Sequence, residues 1–217
     1  MKVSFAITCY NEQQEVDNLL SKLYRYASDV DYEYEFVFLQ DGSDMGVLRT
    51  LTEWAHGDER IFHQLHDLNN DFSTHKNVLN SHCHGDYIFQ IDADEYPSAV
   101  LVQLLGTVIE QNPNVDLIWV PRINTVEGIT NEHLMKWGWR SQVLEGIGDL
   151  PAINWPDYQS RIYRNDPKIH WVGKVHEHVE GAMKYARLPQ EPIWALYHPK
   201  TIAKQEQQNQ FYMDTFR

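Results

Sequence analysis

The chain has 217 residues, of which 42% are hydrophobic and 12% aromatic, enough for one sizeable core. Its formal net charge is −13 and is unevenly placed: residues 1–117 hold 6 Lys and Arg against 20 Asp and Glu, whereas residues 118–217 hold 12 against 11. This balance excludes the basic surface of a general nucleic-acid-binding protein and places an anionic partner nearer the second half.

Cysteine use and hydropathy favour a cytoplasmic protein. Cys9 and Cys83 are both predicted to be buried, and two cysteines make no disulfide framework, which fits a reducing compartment. The apolar run Val3–Cys9 is too short for a signal peptide. The longest apolar helical stretch, Ala99–Ile109, is interrupted by polar residues, so no transmembrane segment is expected.

Strands and helices alternate with short connections through the first half of the chain. The predicted strands are Lys2–Thr8, Tyr34–Leu39, Ile61–Leu65, 86–91 and Leu117–Val120, the last closed by Pro121. The predicted helices are Glu12–Tyr26, a helix with Leu48, Leu51 and Trp54 inward, Asn70–Ser81 capped by Asn70 or Asp71, and Ser98–Gln111. This alternation predicts an α/β fold with a doubly wound, mostly parallel sheet.

The second half is patterned more loosely. Residues 122–157 are aromatic but show little periodicity, which indicates either a loop over a binding site or an insertion packed on the sheet. Further strands are predicted over Gln159–Arg164, Ile169–Val172 and Ile193–Tyr197, and a polar helix over Ile202–Phe216. This half is expected to add mixed strands and a terminal helix to the sheet.

The acidic end of one strand is the strongest local signal. Gly85 precedes an apolar run that continues to Ile91 and stops at Asp92, Asp94 and Glu95. Because ligands bind outside the carboxyl ends of parallel strands, Asp92 and Asp94 are placed to share one hard cation with bound phosphate oxygens. The alternative is an acidic turn before the next helix, and the local sequence by itself leaves both open.

Other strand ends carry polar side chains that would meet at the same edge of the sheet. They are Asn11 and Glu12, Asp41, Asp92 with Asp94, and His198. Lys76, in the helix before the acidic strand, either reaches a diphosphate from this edge or is a solvated helix lysine. Several strand ends converging in this way predict a site for a cation and a phosphate-bearing ligand.

These motifs in combination resemble the family-2 glycosyltransferases of the GT-A fold. The matching segments are Thr8-Cys9-Tyr10-Asn11-Glu12, the turn Asp41-Gly42-Ser43, Phe72–Asn77 with Lys76 in the usual arginine position, Gly85–Ile88, and Asp92-Ala93-Asp94-Glu95. In the second half, Asp157 with Arg161-Ile162-Tyr163, and Trp171–Glu177, are similar to a branch that includes lipopolysaccharide-core transferases. The chain departs from the family at Gln40, where an Asp is usual, and in lacking the usual Glu-Asp base motif.

The resemblance implies transfer of a sugar, with inversion, from a nucleotide-diphosphate donor, a UDP-sugar being favoured, with Mn²⁺ or Mg²⁺ on the diphosphate. The donor-binding residues expected on this basis are Thr8, Tyr10, Asn11 and Asp41 at the base, Glu12 at the ribose, and Lys76 and Arg161. Asp94 would be the main metal ligand, and Asp92 a further ligand or a ribose contact. Residues 1–121 would form a nucleotide-sugar-binding half, and residues 122–217 an acceptor-side half of the same domain.

The reaction also needs a general base. A carboxylate suits this role, because the acceptor hydroxyl must lose its proton as it attacks the anomeric carbon. Asp157 is predicted to be the base and Glu177 is its rival. The structural alternative for Asp157 is a turn residue after Pro156.

Histidines are candidates for the rest of the metal shell. His198 or His176 is predicted to complete it, because neutral imidazole is a fair Mn²⁺ ligand. His176 and His178 alternate along a predicted strand, and a structural role is preferred for His178. The segment His82–His84 has no second pair at zinc spacing and is discounted as a metal site.

Two other functions share parts of this pattern. A nucleotidyltransferase would also use a doubly wound sheet, a metal and two carboxylates, but its Gly-rich basic loop after the first strand has no counterpart in Thr8–Glu12. A non-catalytic nucleotide-sugar-binding module would bind the donor without metal-dependent turnover. The acceptor hydroxyl is expected on a cell-envelope saccharide or, disfavoured by the acidic charge balance, on a hydroxymethylated DNA base.

Overall fold

The computed structural model describes residues 1–42 and 44–215. Its strands are β1 (Lys2–Cys9), β2 (Glu33–Gln40), β3 (Ile61–Leu65), β4 (Tyr87–Asp92), β5 (Tyr96–Pro97), β6 (Leu117–Glu127), β7 (Ser141–Gln142), β8 (Ala152–Arg164), β9 (His170–Val172), β10 (His178–Glu180), β11 (Tyr185–Arg187) and β12 (Leu196–Thr201). Its helices are α1 (Gln13–Tyr26), α2 (Met45–Gly57), α3 (Phe72–Ser81), α4 (Ala99–Gln111), α5 (Asn131–Trp137) and α6 (Ile202–Thr215), with a 3₁₀ turn over Pro192–Trp194. Ser43 of the predicted turn and Phe216 of the predicted last helix lie outside the described residues.

Most strands belong to one large sheet in the order β3-β2-β1-β4-β8-β6-β12-β5, and β9 pairs with β10 in a small separate sheet. β3, β2, β1 and β4 run parallel, β8 runs antiparallel between β4 and β6, and β12 lies parallel to β6. β11 also pairs with β6, and β7 with β8. The predicted α/β class is confirmed: a doubly wound, mostly parallel sheet extended by mixed strands and a terminal helix.

Alternate residues of the central strands point into two different layers of the core. Phe5 of β1 and Phe89 of β4 pack in the layer that contains α1 and α4, whereas Ala6 and Ile88 pack in the layer that contains α3. Because both faces of β1 and β4 are covered, their sequences are nearly continuous apolar runs. Polar side chains follow at the carboxyl ends of these strands, where a cleft opens.

Side-chain caps fix where the helices near the cleft begin. Asp71 is the N-cap of α3, and its Oδ1 accepts a hydrogen bond from Thr74 N at 2.9 Å. Ser98 caps α4 in the same way, with its Oγ accepting from Leu101 N at 3.0 Å. The cap at Asp71 places Lys76 in the second turn of α3.

Burial agrees with most of the predicted core. Cys9 and Cys83 are buried and free, as predicted. Helix α2 buries Leu51 as expected, while Leu48 and Trp54 are only partly buried. Across the described residues, no helix combines the length and apolar character that a membrane span requires.

The prediction that Pro121 closes its strand is wrong, because β6 continues to Glu127. On one side of β6, β11 ends opposite Trp119 and β12 begins opposite Arg122. Pro121 therefore lies between two partner strands on that side, where the missing N–H of proline is tolerated. The longer strand brings Arg122 and Asn124 to the cleft.

The predicted strand Ile193–Tyr197 is wrong at both ends. A 3₁₀ turn precedes β12, and β12 continues through His198 and Pro199. Beyond its first two residues β12 pairs with β6 but no longer with β5, and proline is compatible with such an edge. His198 consequently lies within a strand, in register with Asn124 of β6.

Residues 122–157 are more regular than predicted, because they contain the end of β6, α5, β7 and the start of β8. The short strands β5, β7 and β11 were not predicted, since two or three residues carry no periodicity. The placement of His176 on a strand is also wrong. It has a φ of 54° in the connection between β9 and β10, and β10 begins at His178.

Candidate active site

A cleft of about 1170 Å³ opens at the carboxyl ends of β1, β2 and β4. The rest of its lining comes from α3 and the connection before it, from β6, β8, β12 and α6, from Trp139 after α5, and from β9 and the connection after it. The sequence-predicted residues that line it are Thr8, Tyr10, Glu12, Asp41, Lys76, Asp92, Asp94, Asp157, Arg161, His176, Glu177 and His198. Asn11, which was predicted to contact the donor, is not among the described residues that line the cleft.

Asp92, at the end of β4, is held from several sides. Thr8 Oγ1 and Gln90 Nε2 donate to its Oδ1 at 2.9 and 2.8 Å. Arg161 Nη2 lies 2.8 Å from Oδ2, and Lys76 Nζ lies 3.4 Å from Oδ1. Burial raises the pKa of Asp92, but Arg161, Lys76 and the hydrogen bonds together hold that pKa well below its ordinary value. Asp92 is therefore ionised, with both oxygens engaged by protein groups.

Two arginines connect Asp92 to Asp157 through a buried carboxylate. Arg161 Nη2 and Arg122 Nη1 lie 2.8 and 2.7 Å from the same oxygen, Oε1 of Glu95. Arg122 also donates to Asp157 Oδ2, from Nε at 2.9 Å and Nη2 at 2.6 Å. The Glu95 side chain is 0% exposed, and both arginines balance its charge. Arg161 is thus engaged by protein carboxylates on the inner side of the cleft.

Asp157 carries further hydrogen bonds. Asn124 Nδ2 donates to Oδ2 at 2.9 Å, and Gln159 Nε2 donates to Oδ1 at 2.7 Å. Burial raises the pKa of Asp157, but Arg122 beside it and these hydrogen bonds bring the pKa below its ordinary value. Asp157 is ionised at neutral pH, as a general base must be, while the contact with Arg122 weakens its basicity.

Asp94 and His198 form a second polar group. His198 Nε2 lies 3.3 Å from Asp94 Oδ2. Because Asn124 Nδ2 donates to Asp157, its Oδ1 accepts from His198 Nδ1, which lies at 2.8 Å. This hydrogen bond orients the His198 ring so that Nε2 faces Asp94.

Two lysines from the end of the chain approach the same carboxylate. Lys200 Nζ and Lys204 Nζ lie 3.8 and 3.5 Å from Asp94 Oδ2. Burial raises the pKa of Asp94, but His198 and the two lysines together hold that pKa below its ordinary value. At this end of the cleft Asp94 thus faces two lysines and an imidazole, and Lys204 Nζ also lies 3.4 Å from Glu15 Oε1.

The ends of β1 and β2 form a further part of the cleft. Asp41 Oδ1 accepts from Leu68 N at 2.9 Å, and Glu12 Oε2 accepts from Tyr10 N at 2.7 Å. Burial raises the pKa of Glu12 above its ordinary value. Gly42 has a φ of +66°, and a Cβ there would lie 3.5 Å from the Tyr10 ring. An aromatic ring beside two carboxylates suits a ligand with a flat base and hydroxyl groups.

Lys76 is a buried residue and not a solvated helix lysine. Its Nζ lies 2.8 Å from Glu177 Oε1 and 4.5 Å from the centre of the Trp171 ring. Glu177 therefore balances the charge of Lys76, and the same Lys76 also faces Asp92. His176 lines the cleft beside Glu177.

Other predicted histidines lie away from this site. The His178 side chain is largely exposed and lies 3.3 Å from Glu180, and His82 stacks on Phe62. Among the described residues, no group of three or more His, Cys, Asp and Glu side chains is arranged to hold a metal ion by itself.

A family profile described as "Glycosyl transferase family 2" matches residues 4–177. The chain belongs to glycosyl transferase family 2. The family-2 resemblance inferred from the motifs is thereby confirmed.

Curated relatives of this family-2 chain include two enzymes named undecaprenyl-phosphate 4-deoxy-4-formamido-L-arabinose transferase. The Klebsiella pneumoniae subsp. pneumoniae enzyme is 30% identical over 132 residues, which cover 59% of this chain and 39% of the relative. The Proteus mirabilis enzyme is 27% identical over 113 residues, which cover 50% and 34%. The matched region is thus about a third to two fifths of the length of these relatives.

Solved structures show the same fold. S. aureus TarS 1–349 superposes with a TM-score of 0.62 at 17% identity, covering 92% of this chain and 60% of that chain. TarS 1–349 in complex with UDP-GlcNAc superposes with a TM-score of 0.60 at 18% identity, covering 92% and 59%. At this identity the likeness establishes the GT-A fold, as predicted, and says nothing about function, which has to be argued from the residues of the site.

The family-2 site can accommodate a divalent cation only with help from a ligand. Asp94 and His198 offer a carboxylate oxygen and an imidazole nitrogen next to each other, which suits Mn²⁺ or Mg²⁺. The remaining positions would come from phosphate oxygens and water, as is usual for Mg²⁺ sites. Asp92 is less suited to this role, because both of its oxygens accept hydrogen bonds at 2.8–2.9 Å, whereas the groups near Asp94 Oδ2 lie 3.3–3.8 Å away.

Gln40 shows what replaces the usual family aspartate at the end of β2. Its side chain is buried, and Nε2 donates to Asp44 O at 2.9 Å at the start of α2. Its Oε1 is buried without a hydrogen-bond partner among the described residues. Gln40 therefore supports the β2–α2 turn, and Asp41 supplies the carboxylate that lines the cleft.

Sequence reasoning missed four charged residues of the site: Glu95, Arg122, Lys200 and Lys204. Glu95 stands in the acidic run but was not given a role, and Arg122 lies just beyond the predicted end of β6. Lys200 and Lys204 follow His198 closely, which was a usable signal. Their approach to Asp94 depends on how β12 turns into α6, which the local sequence does not specify.

Proposed function

We propose that this chain transfers a sugar from a nucleotide-diphosphate donor to an acceptor hydroxyl with inversion, and that a UDP-sugar is the favoured donor. The single observation that carries the proposal is the cleft itself, in which Asp94 and His198, several lysines and the ionised Asp157 line one connected space. Family membership supports transfer of a sugar. TarS has been solved with UDP and with UDP-GlcNAc, which supports the choice of nucleotide.

The first half of the chain, residues 1–121, is proposed to bind the nucleoside. Tyr10 and Thr8 line the cleft beside Asp41, so we assign these residues to the base. Glu12, held by Tyr10 N, is assigned to the ribose hydroxyls. Asn11 is not assigned a contact with the donor, because it does not line the cleft; we propose that it shapes the turn after β1.

Charge on the diphosphate is proposed to be neutralised by groups from opposite sides. Lys76 approaches from α3, and Lys200 and Lys204 approach from the end of the chain. Asp94 and His198 would hold Mn²⁺ or Mg²⁺, which when bound supplies Lewis-acid stabilisation of the leaving diphosphate. The negative charge of the leaving diphosphate would thus be neutralised jointly by the lysines and by the cation held at Asp94 and His198.

Asp157 is proposed to accept the proton of the acceptor hydroxyl. It is ionised, it lines the cleft, and Asn124 joins it to His198. Proton transfer from the hydroxyl to Asp157 lets the oxygen attack the anomeric carbon on the face opposite the diphosphate, which inverts its configuration. Glu177 is a weaker candidate because its carboxylate neutralises Lys76.

The acceptor is proposed to bind on the side formed by residues 122–217. A cell-envelope saccharide is favoured, and a hydroxymethylated DNA base is the less favoured alternative because of the acidic charge balance. The curated relatives are named for transfer involving undecaprenyl phosphate, which supports a role in envelope chemistry.

The proposal is tested by incubating the purified chain with a panel of nucleotide sugars and Mn²⁺ and measuring release of the nucleoside diphosphate. We expect turnover of at least one donor, its loss with EDTA and its return with added Mn²⁺. Binding of nucleotide sugars without turnover, with or without a saccharide acceptor, would instead identify a non-catalytic binding module.

A further inference from the structure

The cleft has two ends of different chemistry. Its lysines and arginines are Lys76, Arg122, Arg161, Lys200 and Lys204, and each of them contacts a carboxylate near the reacting centre. The lining also contains Glu12, Asp41 and Asp67, whereas the part formed by Trp139, Asn154 and the residues of α6 beyond Lys204 is uncharged. We call the following set the neutral wall: Trp139, Asn154, Gln205, Gln208, Asn209 and Phe211.

The position of Trp139 in the neutral wall is fixed by local structure. Helix α5 ends at Gly138, which has a φ of 66°, and Trp139 N donates back to Leu134 O at 2.9 Å. The next residue, Arg140, donates from its N to Asn154 Oδ1 at 2.9 Å, which ties Trp139 to Asn154 of β8. The Trp137 ring packs 4.8 Å from the Trp139 ring and supports it from outside.

Helix α6 supplies the amides of the neutral wall. Lys204, in its first turn, faces Asp94, and Gln208 one turn later accepts from Lys200 Nζ at 2.6 Å. Gln205 Nε2 donates to Asn209 Oδ1 at 3.0 Å. From Lys204 to Phe211 the helix rises by about 10 Å, the length of one to two sugar rings. The neutral wall therefore starts beside the reacting centre and extends away from it.

We propose that the neutral wall is the acceptor subsite and that it binds an uncharged saccharide. An indole ring offers a flat apolar surface for the C–H face of a pyranose, and side-chain amides both donate to and accept from hydroxyl groups. A phosphorylated acceptor would need a cation of its own along the wall, whereas Lys200, which donates to Gln208, already faces Asp94 and is assigned to the donor diphosphate. This inference rests on the proposed sugar transfer and specifies its acceptor class.

The test uses the full chain with UDP and Mn²⁺ and follows binding of methyl β-D-glucoside, methyl β-D-galactoside and methyl α-D-mannoside by saturation-transfer NMR. Geranyl phosphate and a hydroxymethylcytosine oligonucleotide are tested as competing acceptor classes. Trp139→Leu is compared with Trp119→Leu, a tryptophan of β6 that lines a different surface pocket. Trp139→Tyr tests whether another aromatic ring restores binding.

We expect at least one glycoside to bind, Trp139→Leu to weaken it about tenfold, and Trp139→Tyr to restore most of it. Trp119→Leu should bind the glycoside normally, and all variants should bind UDP normally. If Trp139→Leu fails to fold, Asn209→Ala replaces it, with a smaller loss of about threefold expected for one hydrogen bond.

The outcomes separate this inference from the proposed function. Normal UDP binding with no glycoside bound, or with glycoside binding unchanged in Trp139→Leu and Asn209→Ala, overturns the acceptor subsite alone. Trp139-dependent binding of geranyl phosphate or of the oligonucleotide, in place of the glycosides, overturns the choice of an uncharged saccharide. Absence of UDP binding by the wild-type chain would instead contradict the choice of a UDP-sugar donor in the proposed function.

Discussion

Replacement of Arg161 by methionine tests whether this buried arginine organises the site or binds the donor directly. Its Nη2 lies 2.8 Å from both Asp92 Oδ2 and Glu95 Oε1, and its side chain is only 3% exposed. Methionine keeps much of the volume but leaves Glu95 with Arg122 as its cationic partner. Breaking a buried ion pair by removing one partner typically costs about 3–5 kcal/mol.

The expected loss is large enough to measure by thermal unfolding. For a chain of this size each kcal/mol shifts the midpoint by about 2–4 °C, so Arg161→Met should lower it by roughly 6–20 °C. Arg164→Met is the control, because Arg164 lies on the same strand but pairs with Asp116 near the surface. That change should cost about 1 kcal/mol or less.

A double-mutant cycle with Glu95→Gln identifies the cause of the loss. If the weaker compensation of the Glu95 charge destabilises Arg161→Met, adding Glu95→Gln should recover about 1–2 kcal/mol, measured by urea unfolding at pH 7. The reasoning would be refuted if Arg161→Met unfolded within about 2 °C of wild type yet bound UDP more than tenfold more weakly. Arg161 would then be a donor contact, as first predicted from the sequence.

The remaining predictions concern catalysis, donor binding and pH. Asp157→Asn should lower kcat by about 100- to 10,000-fold in steady-state assays, with donor affinity nearly unchanged. Glu177→Gln should lower kcat less. The reverse ranking would identify Glu177 as the base. Asp41→Ala should weaken UDP binding in calorimetry even without an acceptor, and unchanged affinity would make Asp41 structural. Burial raises the pKa of Glu35, but hydrogen bonds from Lys2, Ser4 and His84 N bring it below its ordinary value. Its ionised form therefore stabilises the fold above about pH 4, and this contribution is lost as the pH falls further. The difference in free energy of unfolding between wild type and Glu35→Gln should therefore shrink on acidification. A difference that does not change with pH would contradict this.

Most of the fold could be predicted because its central strands are buried on both faces. Runs such as Lys2–Thr8 and residues 86–91 are therefore nearly continuously apolar, and an apolar run between two amphipathic helices is a strong signal. The errors at Pro121 and at His198-Pro199 have a common origin. Whether a strand tolerates proline depends on which neighbouring strands pair with it, and local sequence does not contain that information.

The residues of the site also fall into two groups: those that the sequence predicts and those whose position depends on tertiary structure. Asp41, Asp92 and Asp94 could be predicted to converge because parallel strands end at one edge. Arg122, Lys200 and Lys204 come from the strands and helix that return over this edge, and their arrival depends on tertiary pairing. The sequence also predicted that Asp92 is a metal ligand or a ribose contact, but it did not indicate that Arg161 and Lys76 balance its charge in the fold.

The central claim is that Asp94 serves sugar transfer from a nucleotide-diphosphate donor, and turnover by Asp94→Asn tests it most directly. The control is Asp116→Asn, which changes a carboxylate that pairs with Arg164 on another part of the molecule. Nucleoside diphosphate release from the preferred donor should fall to a few per cent of wild type or less in Asp94→Asn and remain near wild type in Asp116→Asn. Added Mn²⁺ should not restore the activity of Asp94→Asn. Substantial turnover by a correctly folded Asp94→Asn protein would contradict the account.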